Sequence, residues 1–502
     1  MSFSRRKFLT MAGATAAGVS MVAPLEAFYA RVAQGRELEF AGGFKYGPLR
    51  PRLPQNTAAL ANTVVGDLRN IPLLELPRGF RYTAFSITGQ TMSDGTLVPG
   101  DHDGMAAFPG PRGTTILVRN HELSPGEDEF GNLKGVDAPP EKRYAPNATG
   151  GTTTLVVDRR RRLVKDFASL SGTVRNCAGG PTPWGSWISC EETFSTTPDN
   201  NGNLIYHGYN FEVPAGTNTG LVTPVALTDM GRFSHEAVAV DPRTGYVYET
   251  EDSGDSCFYR FVPNVKGQLA QGGSLYALKI KQYPDGVNTS NNPNLGGQEG
   301  LIPVGREYRV EWVKIDNPNP IPEENSNDQQ VRAQGQAKGA AVFFRGEGAW
   351  YGNGVIYFIA TQGGPPAVDD ARGNGQVWEY NPAKETLTLL VEAPPSGEFL
   401  DEPDNITVAP FGDLILCEDG GGEQFVVGVD LDGLLYKFAR NLIDNTEFAG
   451  ACFSPDGSTL FVNSQGLGVT YAIWGPWTSP DGEGGEGGEG GEGDNDGEGD
   501  ED

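Results

Sequence analysis

Acidic side chains recur at the ends of β-rich runs in this sequence, at spacings that could gather several around one cation. The stretch Arg232-Phe-Ser-His235-Glu236 through Glu249-Thr-Glu251-Asp252 shows the pattern most fully. Two β-rich runs flank an Asp-Pro-Arg-Thr-Gly turn, which reads as a hairpin. A His-Glu pair precedes the first run and carboxylates follow the second, so Glu236, Glu249, Glu251 and Asp252 are expected at one end of the hairpin. Carboxylates grouped in this way suit hard cations such as calcium. One such acid alone is an ordinary solvated turn residue.

The unit repeats. Glu347 precedes a run that turns at Gly354, and Asp404 precedes one that turns at Gly412 and ends in Glu418-Asp419. Gly450 to Asn463 is a further copy without the leading acid. Repeated strand–turn–strand units predict an all-β fold of radial repeats, a β-propeller, in which equivalent positions face a common axis. Glu236, Glu347 and Asp404 would then converge at one mouth of a central channel.

Asn176-Cys177-Ala-Gly-Gly-Pro-Thr-Pro-Trp184-Gly-Ser-Trp187-Ile-Ser-Cys190-Glu191-Glu192 is a glycine-rich loop, a strand and a pair of acids. A soft thiolate beside hard carboxylates favours a transition metal. Three of the four histidines adjoin acids, as His102-Asp103, His121-Glu122 and His235-Glu236, where they serve better to orient those acids than to form a three-histidine zinc site. The sequence has no HExxH, CxxC, G-x-S-x-G or P-loop pattern. Trp184 and Trp187 read as loop-packing aromatics, and Cys190, Cys257, Cys417 and Cys452 as buried structural thiols.

The Cys177 loop closely resembles the signature of the PhoX-type alkaline phosphatases. So do Asn120-His121-Glu122, Arg232 to Glu236, Arg345-Gly-Glu347, Pro403-Asp404-Asn405 and Phe453 to Asn463, in order over roughly residues 80–475. The resemblance implies a six-bladed propeller hydrolysing small phosphomonoesters at a mixed cluster of iron (Fe3+) and calcium. It implies iron ligation by Cys177, Glu236, Glu347 and Asp404, with Arg345 beside the substrate phosphate. Glu122, Glu191, Glu192 and Glu251 are the calcium candidates it suggests. Gly-Ala-Trp-Tyr-Gly-Asn-Gly after Glu347 departs from many relatives. A calcium-dependent propeller lactonase and a non-catalytic binding propeller are the competing classes, and neither needs Cys177 or Arg345.

The elements that must position these residues are many short strands. Gly 70 and Pro 36 in 502 residues, with few long helical patterns, suit strands joined by turns. A net charge of −27 argues against nucleic acid or an anionic membrane as partner. Eleven acids lie in residues 481–502, so the rest of the chain still carries −16. Ser4-Arg5-Arg6-Lys7-Phe8-Leu9 and the mildly apolar run to Val22 read as a twin-arginine signal, cleaved between Ala27 and Ala33. An ordinary N-terminal anchor is disfavoured because the run is short and Gly/Ala-rich. Expected domains are the signal (1–33), an irregular N-terminal arm (34–79), the propeller (80–478) and an acidic Gly-Glu tail (479–502) without a packed core. Within the propeller, 283–340 reads as a long insertion between blades, a candidate lid. The expected product is a monomer, carried by the twin-arginine machinery to the periplasm or outside the cell.

Overall fold

The structure, a computed structural model, describes residues 45–477 apart from 65, 127–134, 322–329, 369 and 432. The signal and the acidic tail lie outside the described residues. Among these residues the strands fall into six blade-like groups, and the expected all-β propeller is borne out. The first strands of the groups are His102–Pro109, Asn176–Pro181, His235–Val240, Gly346–Gly352, Pro403–Val408 and Phe448–Phe453. Each packs on the next, and the sixth packs on the first, so they form a closed circle around an axis.

Alternation with period two explains why these runs are apolar on both faces. In the third blade, Val238 and Val240 enter one hydrophobic cluster while Ala237 and Ala239 enter the neighbouring one. Every residue of His235–Val240 is buried, as expected of a strand covered on both sides. The sixth blade takes its outermost strand from early in the chain: Arg81–Phe85 pairs antiparallel with Val469–Trp474.

Two expectations about connecting segments change. The N-terminal arm is not irregular throughout: Arg50–Arg52 pairs with Leu74–Leu76, and Leu74 and Glu75 extend the fifth blade at Asn441 and Arg440. The insertion does separate the third and fourth blades, but it contains the strand Glu307–Lys314. That strand pairs with Gly273–Ile280 on one side and Thr386–Glu392 on the other, joining the outer edges of two blades into one sheet. That strand therefore runs along the outer edges of two blades, where it does not serve as a lid; residues 322–329 of the insertion lie outside the described residues. The physical reason is visible in the strand's burial: Tyr308 and Val310 point inward between exposed Glu307, Arg309 and Glu311.

Candidate metal centre

All six inner strands share one local device. Pairing with the next strand loses register just after the second residue: between His102 and Met105, Asn176 and Gly179, His235 and Val238, Gly346 and Ala349, Pro403 and Ile406, and Ala449 and Cys452. A bulge bends its strand and re-aims the side chains beside it. The second residues are Asp103, Cys177, Glu236, Glu347, Asp404 and Ala449, so five of the six carry a potential ligand. Small third residues such as Gly104 and Gly348 let the strands close in at this level. A Cβ on Gly348 would stand 2.6 Å from the Asp404 carbonyl oxygen, and one on Gly104 would stand 2.5 Å from Ala178 Cα. Glycine is required by this close approach of backbones.

Ligand atoms of Cys177, Glu192 and Glu236 lie within 4.8 Å of one another, as do those of Glu236, Glu347 and Asp404. Glu236 belongs to both groups and links them. The crowding of like charges in this interior raises the acids' proton affinity. Burial, then the charges of Asp404, Glu192 and Asp103, holds the Glu236 carboxyl well above the usual range. Burial, then Asp252, Glu236 and Asp404, does the same to Glu347. Asp404 is pushed up to about 7 by burial and by Asp419. The Cys177 thiol is pushed up by burial and by the Glu236 and Glu192 carboxylates. Asp103 Oδ1 is buried with no hydrogen-bond partner among the described residues. Crowded carboxylates, a thiol and an unpartnered buried oxygen fit cations of the kind the sequence suggested.

The second strands end at the rim of the same mouth, and the residue that follows each adds a further ring. Glu122, Glu192, Asp252, Thr361, Asp419 and Gln465 occupy it. Gln465 Nε2 donates to Glu122 Oε2 at 2.9 Å. Arg175 bonds both Glu122 and Glu192. Arg345 donates from Nε to Asp252 Oδ1 at 3.0 Å and from Nη2 to Glu347 Oε1 at 2.9 Å, with its side chain 31% exposed at the rim. Both arginines immediately precede an inner strand and both have positive φ, 48° and 51°. The conformation is rare outside glycine. Here it turns both side chains over the mouth.

The segment expected as a glycine-rich loop at Cys177 is the inner strand Asn176–Pro181, and it is pinned from the first blade. Asn120 Nδ2 donates to the carbonyls of Cys177 (2.9 Å) and Ala178 (2.6 Å), while its Oδ1 accepts from Trp187 Nε1 and Ser189 Oγ, both at 2.9 Å. Trp187 is thus a packing residue, as expected. Cys190, Cys257, Cys417 and Cys452 are buried free thiols.

Cys177, Glu236, Glu347, Asp404, Glu192 and Glu122 are brought to the mouth, with Arg345. Glu191 and Glu251 are not. Glu191 accepts from the backbone N–H groups of Val174 and Gly208, each at 2.9 Å, and of Tyr209 at 3.2 Å, and contacts His207 Nδ1 at 2.6 Å. Glu251 accepts from Tyr259 Oη at 2.5 Å and Arg332 Nη1 at 2.9 Å. Strand alternation turns each away from the neighbour that follows it, so these carboxylates brace the blades. Glu249 likewise bonds Asn210 Nδ2 at 2.9 Å, so the hairpin's acids do not form the single group expected of them. His121 and His235 are buried against the carbonyls of Gly100 and Gly231. Burial keeps both neutral. Sequence reasoning misses Asp103, Asp419 and Glu447 as candidates; burial, then the charges of Asp419, Asp404, Asp103 and Glu122, holds the Glu447 carboxyl well above the usual range. Asp103 has a signal, since His102-Asp103-Gly104 repeats the shape of His235-Glu236-Ala237.

A propeller with acids and a thiol converging on its axis, rimmed by arginines, defines the class: an all-β enzyme fold built around a candidate metal centre. The family model described as alkaline phosphatase PhoX matches residues 59–468, and the chain belongs to that family. By that membership it is a phosphoric monoester hydrolase. Among solved structures it is similar to Pseudomonas fluorescens PhoX in complex with vanadate, with TM-score 0.59 and 18% identity, covering 86% of this chain and 98% of that one. A gluconolactonase from Xanthomonas campestris matches with TM-score 0.35 and 13% identity over 86% of this chain and 98% of its own. Virginiamycin B lyase from Staphylococcus aureus matches with TM-score 0.34 and 12% identity over 79% and 99%. No curated protein matches the chain.

Proposed function

We propose that this chain is an exported, metal-dependent alkaline phosphatase that releases inorganic phosphate from small phosphomonoesters at the axial mouth. The observation that carries the reading is the pair of ligand groups joined at Glu236, one through Cys177 and the other through Glu347 and Asp404, with Arg345 at their rim. Iron (Fe3+) would be held by those four residues. Calcium would be held by Glu122 and Glu192, with Asp103, Asp419 and Glu447 close by. Bound cations would neutralise the phosphate and stabilise an in-line displacement. Vanadate in the P. fluorescens PhoX complex is a transition state analogue, which supports the same chemistry here.

The chain's own contributions are positional. Arg345 offers a planar fork to two phosphate oxygens once it exchanges its bonds to Asp252 and Glu347. Asn120 keeps the Cys177 carbonyl, and with it the thiol, in place. Glycines at the axis, Gly104 and Gly348 among them, let the inner strands approach closely beneath the ligand level. The twin-arginine motif supports export to the periplasm or beyond in a folded state.

The test is hydrolysis of p-nitrophenyl phosphate with and without EGTA, alongside element-resolved metal content of protein taken from its exporting host. Turnover that vanishes with EGTA, in protein containing iron and calcium, is expected. Full turnover in metal-free protein would overturn the metal assignment.

A further inference from the structure

A cavity of about 240 Å3 lies beside the mouth under the third blade, outside the ligand groups described above. Its wall includes Asp252, whose carboxylate binds Arg345, and Ser234, two residues before Glu236. The rim is low here. Before the inner strands of the second and fourth blades stand Arg175 and Arg345, whereas before that of the third stands the small Ser234. The cavity therefore borders the rim at Ser234 and Asp252, between the blades that carry the two arginines.

The rest of the wall joins an apolar strip to the polar and charged side chains of Arg232, Glu251, Ser253, Gln330 and Arg332. Phe194, Phe233 and Val331 form the strip. One face of Phe194 is covered by the Arg232 guanidinium, 4.0 Å from the ring centre. Arg232 is buried, lines the cavity, and its Nε has no hydrogen-bond acceptor among the described residues. Arg332 is fixed by Glu251 at 2.9 Å and by Asp255 at 2.6 Å, which holds the far wall rigid. The volume is below the roughly 300–1,000 Å3 of pockets for drug-sized ligands, so it suits one small ring system rather than a polymer.

We propose that this cavity seats the organic group of the phosphomonoester and selects a planar aromatic or heteroaromatic alcohol joined to the phosphate by one or two bonds. The assignment rests on the phosphatase reading above. With the phosphorus over the axial cluster and Arg345 on its oxygens, a leaving group directed past Ser234 enters the cavity. A ring there meets Phe194 and Val331, two of the side chains that form the apolar strip of the wall. A short aliphatic alcohol leaves most of that wall uncovered.

Benzyl phosphate and n-propyl phosphate test the selection, because their leaving alcohols are of similar acidity and differ mainly in the ring. The metal-replete full chain is expected to favour benzyl phosphate about ten-fold in kcat/KM, since burying part of a ring against Phe194 and Val331 is worth about one such decade. Phe194→Ala, and Gln330→Trp filling the cavity from its edge, should each lower the benzyl value at least five times more than the propyl value. Calorimetric binding of benzylphosphonate and propylphosphonate should show the same preference without turnover. Equal constants for the two esters in the parent enzyme, or a ratio that neither variant moves, would overturn the assignment while leaving the phosphatase intact. Failure to hydrolyse either ester would instead remove the phosphatase reading, and the cavity's role with it.

Discussion

Arg345 and Asp252 face each other fork to fork, with Nε 3.0 Å from Oδ1 and Nη2 3.3 Å from Oδ2, across the boundary between the third and fourth blades. Burial opposes the arginine's charge, but the Glu347 and Asp252 carboxylates outweigh it and hold the guanidinium firmly protonated. Arg345→Lys keeps the charge and loses the planar fork. Loss of one charge-assisted contact in the transition state costs about 2–4 kcal/mol. The expected fall in kcat/KM is roughly thirty- to a thousand-fold, with phosphate a weaker inhibitor and metal content unchanged. Kinetics and inhibition within a few-fold of the parent would take Arg345 out of the active site.

Cys177→Ser is expected to lower bound transition metal and activity together, while the thermal transition stays within a few degrees. Burial and two neighbouring carboxylates disfavour a bare thiolate, so the charge on this sulfur depends on a cation. Parent levels of iron in the variant would sink the assignment.

Stripping the metals should make stability strongly pH-dependent. Asp404 and Asp419 rise from an ordinary 3.8 to about 7 and about 6, each first through burial, with neighbouring acids adding to it. A carboxyl with a raised folded-state pKa binds its proton more tightly folded than unfolded. Its stability contribution is complete below pH 4 and declines as pH rises through the folded value. Each such group costs up to about 1.4 kcal/mol per pH unit across its window. Metal-stripped protein should therefore melt progressively earlier from pH 4 to pH 7, and metal-replete protein should not. Identical melting curves for the two forms would show that the cluster does not hold cations.

Glu191→Ala separates bracing from ligation. It orphans three backbone donors and His207 in the interior, at a cost of about 3–5 kcal/mol by analogy with broken buried pairs. Metal content per folded molecule should stay at the parent level. Glu192→Ala should do the reverse, sparing stability in urea and losing bound cation.

The contrast between Glu191 and Glu192 marks where sequence reasoning runs out. The axial positions of Glu236, Glu347 and Asp404 are legible because a repeated hairpin puts equivalent residues at equivalent places. Cys177 stands out by chemistry, and its place as the second-blade counterpart of Glu236 emerges only with the strands aligned. Which of two adjacent acids points to the channel depends on strand phase, and a one-residue bulge inverts that phase. Composition carries no trace of such a bulge. The strand Glu307–Lys314 has legible alternation, but the Asn- and Pro-rich segments around it resemble loop. Asp419 follows the second strand of the fifth blade and Glu447 precedes the first strand of the sixth, rim positions that become recognisable only when all the blades are aligned.

Closure has its own consequence for the order of events in the cell. The sixth blade is completed by Arg81–Phe85, made early, pairing with Val469–Trp474, made near the end. Until the late strand leaves the ribosome, Phe448–Phe453 cannot settle between the fifth blade and His102–Pro109, and Asp103 and Asp404 have no common floor. The ligand circle is thus a product of the finished chain. Cys177, Glu192, Glu236, Glu347 and Asp404 all precede the sixth blade, so until it closes they stand on an open arc of blades, without the neighbour that completes the circle at Asp103.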